Sequence, residues 1–279
     1  MSATIIDGAA LAKKIKKDIA EQIKAEKIEA SLAVIIVGDN PASKIYVRNK
    51  RTDCDECGIH SLEFALDAET SEEELLQLID SLNIRDDISG ILVQLPLPGH
   101  ISEDKVISRI YPKKDVDCFH PYNVGLLMTG NANFLPCTPA GVIAMLDEYG
   151  IDPEGKHCVV IGRSNIVGKP MALLLLSRNG TVTICHSKTP NLKEIVSEAD
   201  ILISAVGKKK LVTDDMIKEG AVVIDVAMNR KENGKLCGDV DFDSVKERAS
   251  YITPVPGGVG PMTRAMLMKN TLKAALYNK

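Results

Sequence analysis

Lys50 sits among residue types that a lysine seldom joins. At 100° per residue, Ser43, Tyr46, Val47, Lys50, Cys54 and Cys57 fall on one helical arc about 100° wide. The opposite side carries Arg48, Asn49, Thr52, Asp53, Asp55 and Glu56, with Ile45 the apolar exception. A helix patterned this way buries the small and apolar stripe. Lys50 then either snorkels along its stem to water or is held in a partly apolar pocket. Such a pocket lowers a lysine's pKa and lets it exchange protons near neutral pH. Tyr46, one turn earlier, shares the pocket. Cys54 and Cys57 match C-x-x-C, but a zinc site needs a second pair that the sequence lacks, so both read as packing.

Two further polar positions could complete a site with Lys50. Gln94 stands near the end of the apolar run Gly90-Ile91-Leu92-Val93-Gln94-Leu95, and open α/β sheets place their ligand crevice at such strand ends. The stretch Pro112 to Pro121 carries Asp115, Asp117 and His120 and reads as a site loop rather than a linker. His120, next to proline, reads as structural.

Nucleotide chemistry is suggested by Val160-Ile161-Gly162-Arg163-Ser164-Asn165-Ile166-Val167-Gly168-Lys169-Pro170, between a strand and a helix. Gly162 permits a tight turn. Gly168 and Pro170 begin a helix whose free N–H groups are expected to receive a phosphate. Ser164 replaces the second glycine of G-x-G-x-x-G, and the gap to Gly168 is longer than usual. The following strand ends Cys185-His186-Ser187-Lys188-Thr189, without the carboxylate that would hold a ribose 2′-hydroxyl. Arg163, Ser187 and Lys188 suit a 2′-phosphate instead, which favours NADP over NAD. Thr253 to Thr263 contains Pro254, Pro256, Pro261, Gly257, Gly258 and Gly260. That backbone is stiff and can approach a flat ligand such as nicotinamide closely.

The elements that must carry these residues alternate. Asp7 caps a helix from Gly8 to about Lys27, followed by a buried-type strand Leu32–Val37, the Lys50 helix, a strand His60–Leu66, a helix opened by the Ser71/Glu74 capping box, and the Gln94 strand. A second series runs through strands at 157–161, 181–185, 201–205 and 221–226, with helices at 168–178 and 192–197. The fold expected is α/β: two α/β domains with a cleft between them, the C-terminal one Rossmann-like. The first domain is expected to span 1–137 completed by a helix at 262–279, and the nucleotide domain 138–261.

The chain has 279 residues, 45% hydrophobic and 26% charged, with net charge −4. That composition is soluble-globular and gives no reason to expect nucleic acid or an anionic membrane as partner. No signal-peptide pattern opens the chain, and no apolar run approaches a membrane span. Seven cysteines spread along a chain of this size point to a reducing, cytoplasmic setting.

Together Tyr46 and Lys50, Val93-Gln94-Leu95-Pro96-Leu97-Pro98, Lys114-Asp115-Val116-Asp117, Gly162-Arg163-Ser164, Cys185-His186-Ser187 and Pro254 to Thr263 resemble the bifunctional methylenetetrahydrofolate dehydrogenase/methenyltetrahydrofolate cyclohydrolase family over essentially the whole chain. The resemblance implies oxidation of the methylene carbon between N5 and N10 with NADP, then hydrolysis to 10-formyltetrahydrofolate, without a metal. It implies that Lys50 transfers the proton, Gln94 tunes Lys50, Tyr46 stacks on the pterin and Asp117 anchors its polar edge. Leu95, Pro256, Gly257 and Gly258 would also contact the substrate. Gly162, Arg163, Ser164, Gly168, Ser187 and Met228 would contact NADP, and a homodimer would form through the nucleotide domain. The chain departs from the pattern at Cys118 (usually glycine), at Ala227-Met228 (usually Gly-Ile), within Gly207 to Lys210 (no proline) and at Arg264 (usually small and apolar). Three other readings are open: retention of one activity only, another two-domain NADP oxidoreductase, or a non-catalytic nucleotide-sensing protein.

Overall fold

A computed structural model describes residues 2–277, apart from the side chain of Ala42. The chain divides into two compact units. One comprises residues 1–12 with 136–263, the other residues 13–135 with 264–279. Strand β1 (Thr4–Ile5) precedes helix α1 (Gly8–Glu26). Asp7 caps α1, its Oδ1 accepting from the Ala10 amide at 2.9 Å.

The unit built on 13–135 contains a parallel three-stranded sheet. Its strands are β2 (Ser31–Val37), β3 (His60–Leu66) and β4 (Gly90–Val93), in the order β3-β2-β4. β2 is central and buried at every position, as its unbroken apolar run requires. Helix α2 (Pro41–Cys57) connects β2 to β3, and α3 (Glu72–Asn83) connects β3 to β4. The capping box forms: Ser71 Oγ accepts from the Glu74 amide at 3.2 Å, and Glu74 Oε2 accepts from the Ser71 amide at 2.9 Å. Leu75, Ile79 and Leu82 of α3 pack on Ala33, Ile35, Ile91 and Val93 of the sheet. Two short helices, α4 (Glu103–Arg109) and α5 (Pro121–Met128), bracket the Pro112–Pro121 stretch.

The other unit continues with α6 (Cys137–Glu148), β5 (His157–Ile161), α7 (Gly168–Ser177), β6 (Thr181–Cys185), α8 (Leu192–Val196), β7 (Ile201–Ser204) and β8 (Val222–Asp225). Strands β9 (Asn229–Arg230) and β10 (Leu236–Cys237) form a small antiparallel ribbon. Helix α9 (Phe242–Val245), β11 (Tyr251–Ile252) and α10 (Val259–Tyr277) complete the chain. The parallel six-stranded sheet has the order β1-β11-β8-β7-β5-β6. Its first strand is the N-terminal one: Thr4 pairs with Tyr251 and Ile5 with Ile252. One face packs Val159, Leu202 and Val223 against Val196, Val212 and Val245. The chain order reverses between β5 and its two neighbours, β6 and β7, which is where doubly wound sheets open their ligand crevice.

Candidate active site

Helix α2 carries its stripe inward. Val47, Cys54 and Cys57 are buried, Tyr46 and Lys50 are half-buried, and Ile45 is exposed. Burial pushes both thiols up to about 12, so neither is a thiolate at neutral pH. Lys50 Nζ donates to Gln94 Oε1 at 3.0 Å, and Gln94 Nε2 donates to the Leu95 carbonyl at 2.7 Å. The second bond fixes which end of the amide faces the lysine. Gln94 itself is held because its backbone N–H extends the β2–β4 ladder to Ile35 O at 2.8 Å. Lys50 and Gln94 are thus brought together by a helix and a strand end, with Tyr46 one turn before the lysine. The bond between Leu95 and Pro96 is cis.

One residue of α2 corrects the expectation. Asp53, assigned to the outer face, is only 3% exposed, because at about 100° per residue it falls roughly 20° beyond Tyr46, at the edge of the buried stripe. Its Oδ1 accepts from Lys16 Nζ of α1 at 2.6 Å, and its Oδ2 lies 2.6 Å from Arg264 Nε of α10. The arginine N–H is not aimed along that vector, so the Arg264 contact is Coulombic rather than a hydrogen bond. Burial alone would lower the Lys16 pKa, but the hydrogen bonds to Asp53 and Glu56 outweigh it and hold the amine above its usual range. Cations on two other helices therefore let a carboxylate be buried at the border of the apolar stripe.

Asp117 is half-buried in a loop whose shape is set by its neighbours. Asp115 is buried and accepts from the amides of Phe119 at 3.2 Å and His120 at 2.8 Å, and from Asn123 Nδ2 at 2.8 Å. Burial pushes its carboxyl above the ordinary range against those three donors. Lys114 is buried with Nζ on the carbonyls of Leu82 at 3.1 Å and Arg85 at 2.6 Å, closing the C-terminal end of α3. Desolvation pulls its pKa down. Asn270 of α10 donates to Val116 O at 2.8 Å and Leu135 O at 2.9 Å. His120 caps α5, its Nδ1 accepting from the Tyr122 amide at 3.0 Å, and is structural. Asp115 and Asn270 shape this loop, and sequence reasoning assigned neither. The only signal was Asp115 two residues before Asp117, between prolines.

In the other unit, the loop after β5 has a conformation glycine alone suits. Gly162 has φ +131°, and a Cβ there would lie 2.6 Å from Ala205 O; one on Gly168 would lie 2.3 Å from Gly162 O. The expected phosphate-ready amides of α7 are used differently. Ser164 Oγ accepts from the Val167 amide at 3.1 Å and the Gly168 amide at 3.2 Å, and Ser164 O accepts from the Lys169 amide at 3.0 Å. Pro170 has no N–H, so the first turn of α7 is satisfied from within. Ser164 is a cap as well as a loop residue, which is why a serine replaces the second glycine. Arg163 to Ile166 remain exposed at the end of β5. Ser187 and Lys188 are exposed at the end of the adjacent β6, whose register pairs Ile161 with Cys185. Arg163 and Ser187 thus leave neighbouring strand ends, and among the described residues the turn 186–189 contains no carboxylate. This edge fits a 2′-phosphorylated dinucleotide.

The Thr253–Thr263 loop belongs to the same unit. Its bond between Val255 and Pro256 is cis, and Gly257 has φ +108°. A Cβ on Gly258 would lie 2.6 Å from Pro254 O, and one on Gly8 would lie 2.1 Å from Gly258 O. The Ala9 amide donates to Gly257 O at 2.8 Å. The glycines therefore also let the loop pack onto the start of α1.

Residues 6–117 match the catalytic domain of the tetrahydrofolate dehydrogenase/cyclohydrolase family, and residues 136–279 match its NAD(P)-binding domain. The chain belongs to that family. It is 60% identical over 278 residues to the bifunctional protein FolD of Acetivibrio thermocellus, covering 99% of this chain and 98% of that one. The crystal structure of the bifunctional FolD enzyme from Campylobacter jejuni superposes with a TM-score of 0.97 at 52% identity, covering 100% of both chains. The Trypanosoma brucei FolD structure, complexed with NADP cofactor and an inhibitor, gives 0.95 at 41% identity over 99% of this chain and 98% of that one.

Within this tetrahydrofolate dehydrogenase/cyclohydrolase, the unusual residues have local partners. Cys118 sits at φ +61°, a left-handed conformation that favours glycine, and its buried thiol donates to Phe134 O at 3.2 Å. Ala227 is buried and its amide donates to Asp225 Oδ1 at 3.2 Å, while Met228 is 44% exposed. Arg264 is the second cation beside Asp53.

Proposed function

We propose that this chain oxidises 5,10-methylenetetrahydrofolate to the 5,10-methenyl compound with NADP+ and hydrolyses that product to 10-formyltetrahydrofolate, with Lys50 moving the proton. The observation that carries the residue assignment is the 3.0 Å bond from Lys50 Nζ to Gln94 Oε1, at a strand end in the catalytic unit. Bound NADP+ supplies the hydride acceptor. In the hydrolytic step, water adds to the cationic methenyl carbon and one of its protons passes to a neutral Nζ. The hydroxyl proton is lost as the C=O forms, and N5 takes a proton as the C–N5 bond breaks. One proton is released overall. An amine that is neutral part of the time can serve as this base, and it also repels the cation less than a fixed ammonium. Gln94, anchored through Leu95 O, orients Nζ. Tyr46 stacks on the pterin, Asp117 accepts from its polar edge, and Leu95 with Pro256, Gly257 and Gly258 completes the substrate contacts. Arg163, Ser164 and Ser187 hold the 2′-phosphate end of the nucleotide, with Gly162, Gly168 and Met228 along its path.

The same reading includes a homodimer through the nucleotide unit and a cytoplasmic setting. Leu176, 60% exposed on α7, and Ile184, 40% exposed on edge strand β6, support the first. The seven free cysteines support the second. Among the described residues no helix is long and apolar enough to cross a membrane. The deciding assay gives the protein methylenetetrahydrofolate with NADP+ or NAD+ and follows reduced nucleotide, methenyl and formyl products together. Formyl product with NADP+ is expected. Methenyl product accumulating without formyl product overturns the hydrolytic half, and nucleotide reduction without folate overturns the whole reading.

A further inference from the structure

Asp239 has no exposed surface, and no step of the proposed chemistry uses it. Its carboxylate collects five donors. Oδ2 accepts from Ser204 Oγ at 3.0 Å, the Val206 amide at 2.8 Å and the Gly207 amide at 3.2 Å, while Oδ1 accepts from the Lys208 amide at 2.6 Å and Asn229 Nδ2 at 3.1 Å. Two loops hang on this one group: the one after β7 and the one after β8. Both leave the sheet at the same edge as the Gly162 loop, since Ala205 O faces Gly162 and the Val226 amide donates to Ser204 O at 2.9 Å. Each loop exposes an apolar side chain there, Val206 at 47% and Met228 at 44%.

A second carboxylate holds the first in place. Asp225 Oδ1 accepts from the Asp239 amide at 3.0 Å, and Oδ2 accepts from the Val240 amide at 2.8 Å. The Asp225 amide donates to Thr253 Oγ1 at 2.7 Å, tying the pair to the start of the Pro-Gly loop. A Cβ at Gly238 would lie 1.9 Å from Asp225 Oδ2, so only glycine lets the two segments approach. A buried carboxylate is costly unless its acceptor sites are filled, and here they are filled by backbone amides of the nucleotide edge.

We propose that Asp239 is a positioning residue for the dinucleotide: it fixes the backbone of residues 206–208 and the side chain of Asn229, and through them the face on which the cofactor lies. This rests on the reading of that edge as the NADP site. Asparagine in its place has one acceptor oxygen, so at least two of the five donors lose their partner and meet an NH2 group instead.

The test uses the full chain and NADP+ itself. In Asp239→Asn, KM for NADP+ and the Kd for NADPH, read by nucleotide fluorescence, are expected to rise about tenfold or more. Hydrolysis of preformed methenyltetrahydrofolate, which needs no nucleotide, reports on the other unit in the same sample. Asn229→Ala removes one donor and leaves the carboxylate intact, so a rise of a few-fold is expected, and it carries the test if Asp239→Asn does not fold. Parent-like nucleotide affinity in both variants, or equal losses in nucleotide affinity and hydrolysis, overturns the proposal. If the parent chain binds no NADPH, the reading of the edge fails instead.

Discussion

The Lys50–Gln94 pair and the nucleotide edge both lie at the ends of parallel strands, but they are held in different ways. Lys50 is placed by the period of α2 and Gln94 by the β2–β4 ladder, so regular elements deliver the side chains directly and one 3.0 Å bond joins them. At the nucleotide edge the groups that would meet a ligand are loop backbone and exposed side chains. Their shape is set from behind, by Ser164 capping α7 and by Asp239 and Asp225 gathering amides. The first arrangement suits proton transfer, where one atom must be in one place. The second suits an extended ligand, which needs a long contoured surface. Chemistry should therefore fail sharply on single side-chain changes in the first region, and binding should fail gradually in the second.

The largest effect expected follows from that contrast. Lys50→Met should lower hydrolysis of methenyltetrahydrofolate about a thousand-fold, the range for losing a positioned proton-transfer group. Folate and NADPH affinities should stay within a few-fold of the parent, as measured by equilibrium titration. Comparable losses in binding and turnover would mean that Lys50 builds the pocket rather than acting in it.

Next in size is Asp115→Ala, which tests whether the catalytic unit also relies on a buried carboxylate. The change takes the side-chain acceptor from the amides of Phe119 and His120, and leaves Asn123 Nδ2 with only its bond to Pro112 O. An orphaned buried donor costs about 1–3 kcal/mol, so a loss of about 3 kcal/mol in urea unfolding is expected, together with weaker folate binding through the displaced Asp117. Unchanged stability would show the loop to be held by Lys114 and Asn270 alone.

Asp225 allows the same comparison through pH. Burial pushes its carboxyl from 3.8 up to about 6, with the Asp239 charge adding to the rise. The folded state then binds this proton more tightly than the unfolded chain. Stability from this group is accordingly fully present below about pH 4 and is lost as pH rises through about 6, by roughly 3 kcal/mol over the whole range. Asp115 contributes with the same sign. Asp225→Asn should flatten the fall between pH 4 and 6 relative to the parent, whatever it does to absolute stability. Parallel Tm–pH curves for parent and variant would rule the titration out.

The two regions were also unequally legible in the sequence. The capping box at Ser71, the unbroken apolar run of β2 and the odd lysine on α2 are local patterns, and the structure realises each. Gln94 was legible only in part: a polar residue ending an apolar strand serves equally well as a solvated strand end, and its pairing with Lys50 came from the family resemblance. What stayed hidden depends on partners far along the chain. Asp53 is buried because of Lys16 and Arg264, Asp239 sits 31–33 residues from the amides it gathers, and β1 is two residues long and pairs with a strand at 251–252. Ser164 has a second use that the loop motif did not announce: its cap bonds span only three and four residues. Hydrophobic period carries no record of which polar atoms will meet.

The smallest effect is expected at the exposed rim, where solvent competes. Arg163 is exposed at the end of β5 and Ser187 at the end of β6, with no carboxylate in the intervening turn to favour a free ribose. Arg163→Gln keeps a planar donor but removes the charge and the forked geometry that suits a phosphate. NADP+ affinity should drop about tenfold, the size of one charge-assisted hydrogen bond in a solvated site, while NAD+ affinity stays put. The ratio of kcat/KM for the two nucleotides reads this directly, and raising the salt concentration should narrow it in the parent more than in the variant. A common loss for both nucleotides would place Arg163 on the pyrophosphate instead. The rim would then serve binding as a whole, and the choice of nucleotide would rest with Ser187 and Lys188.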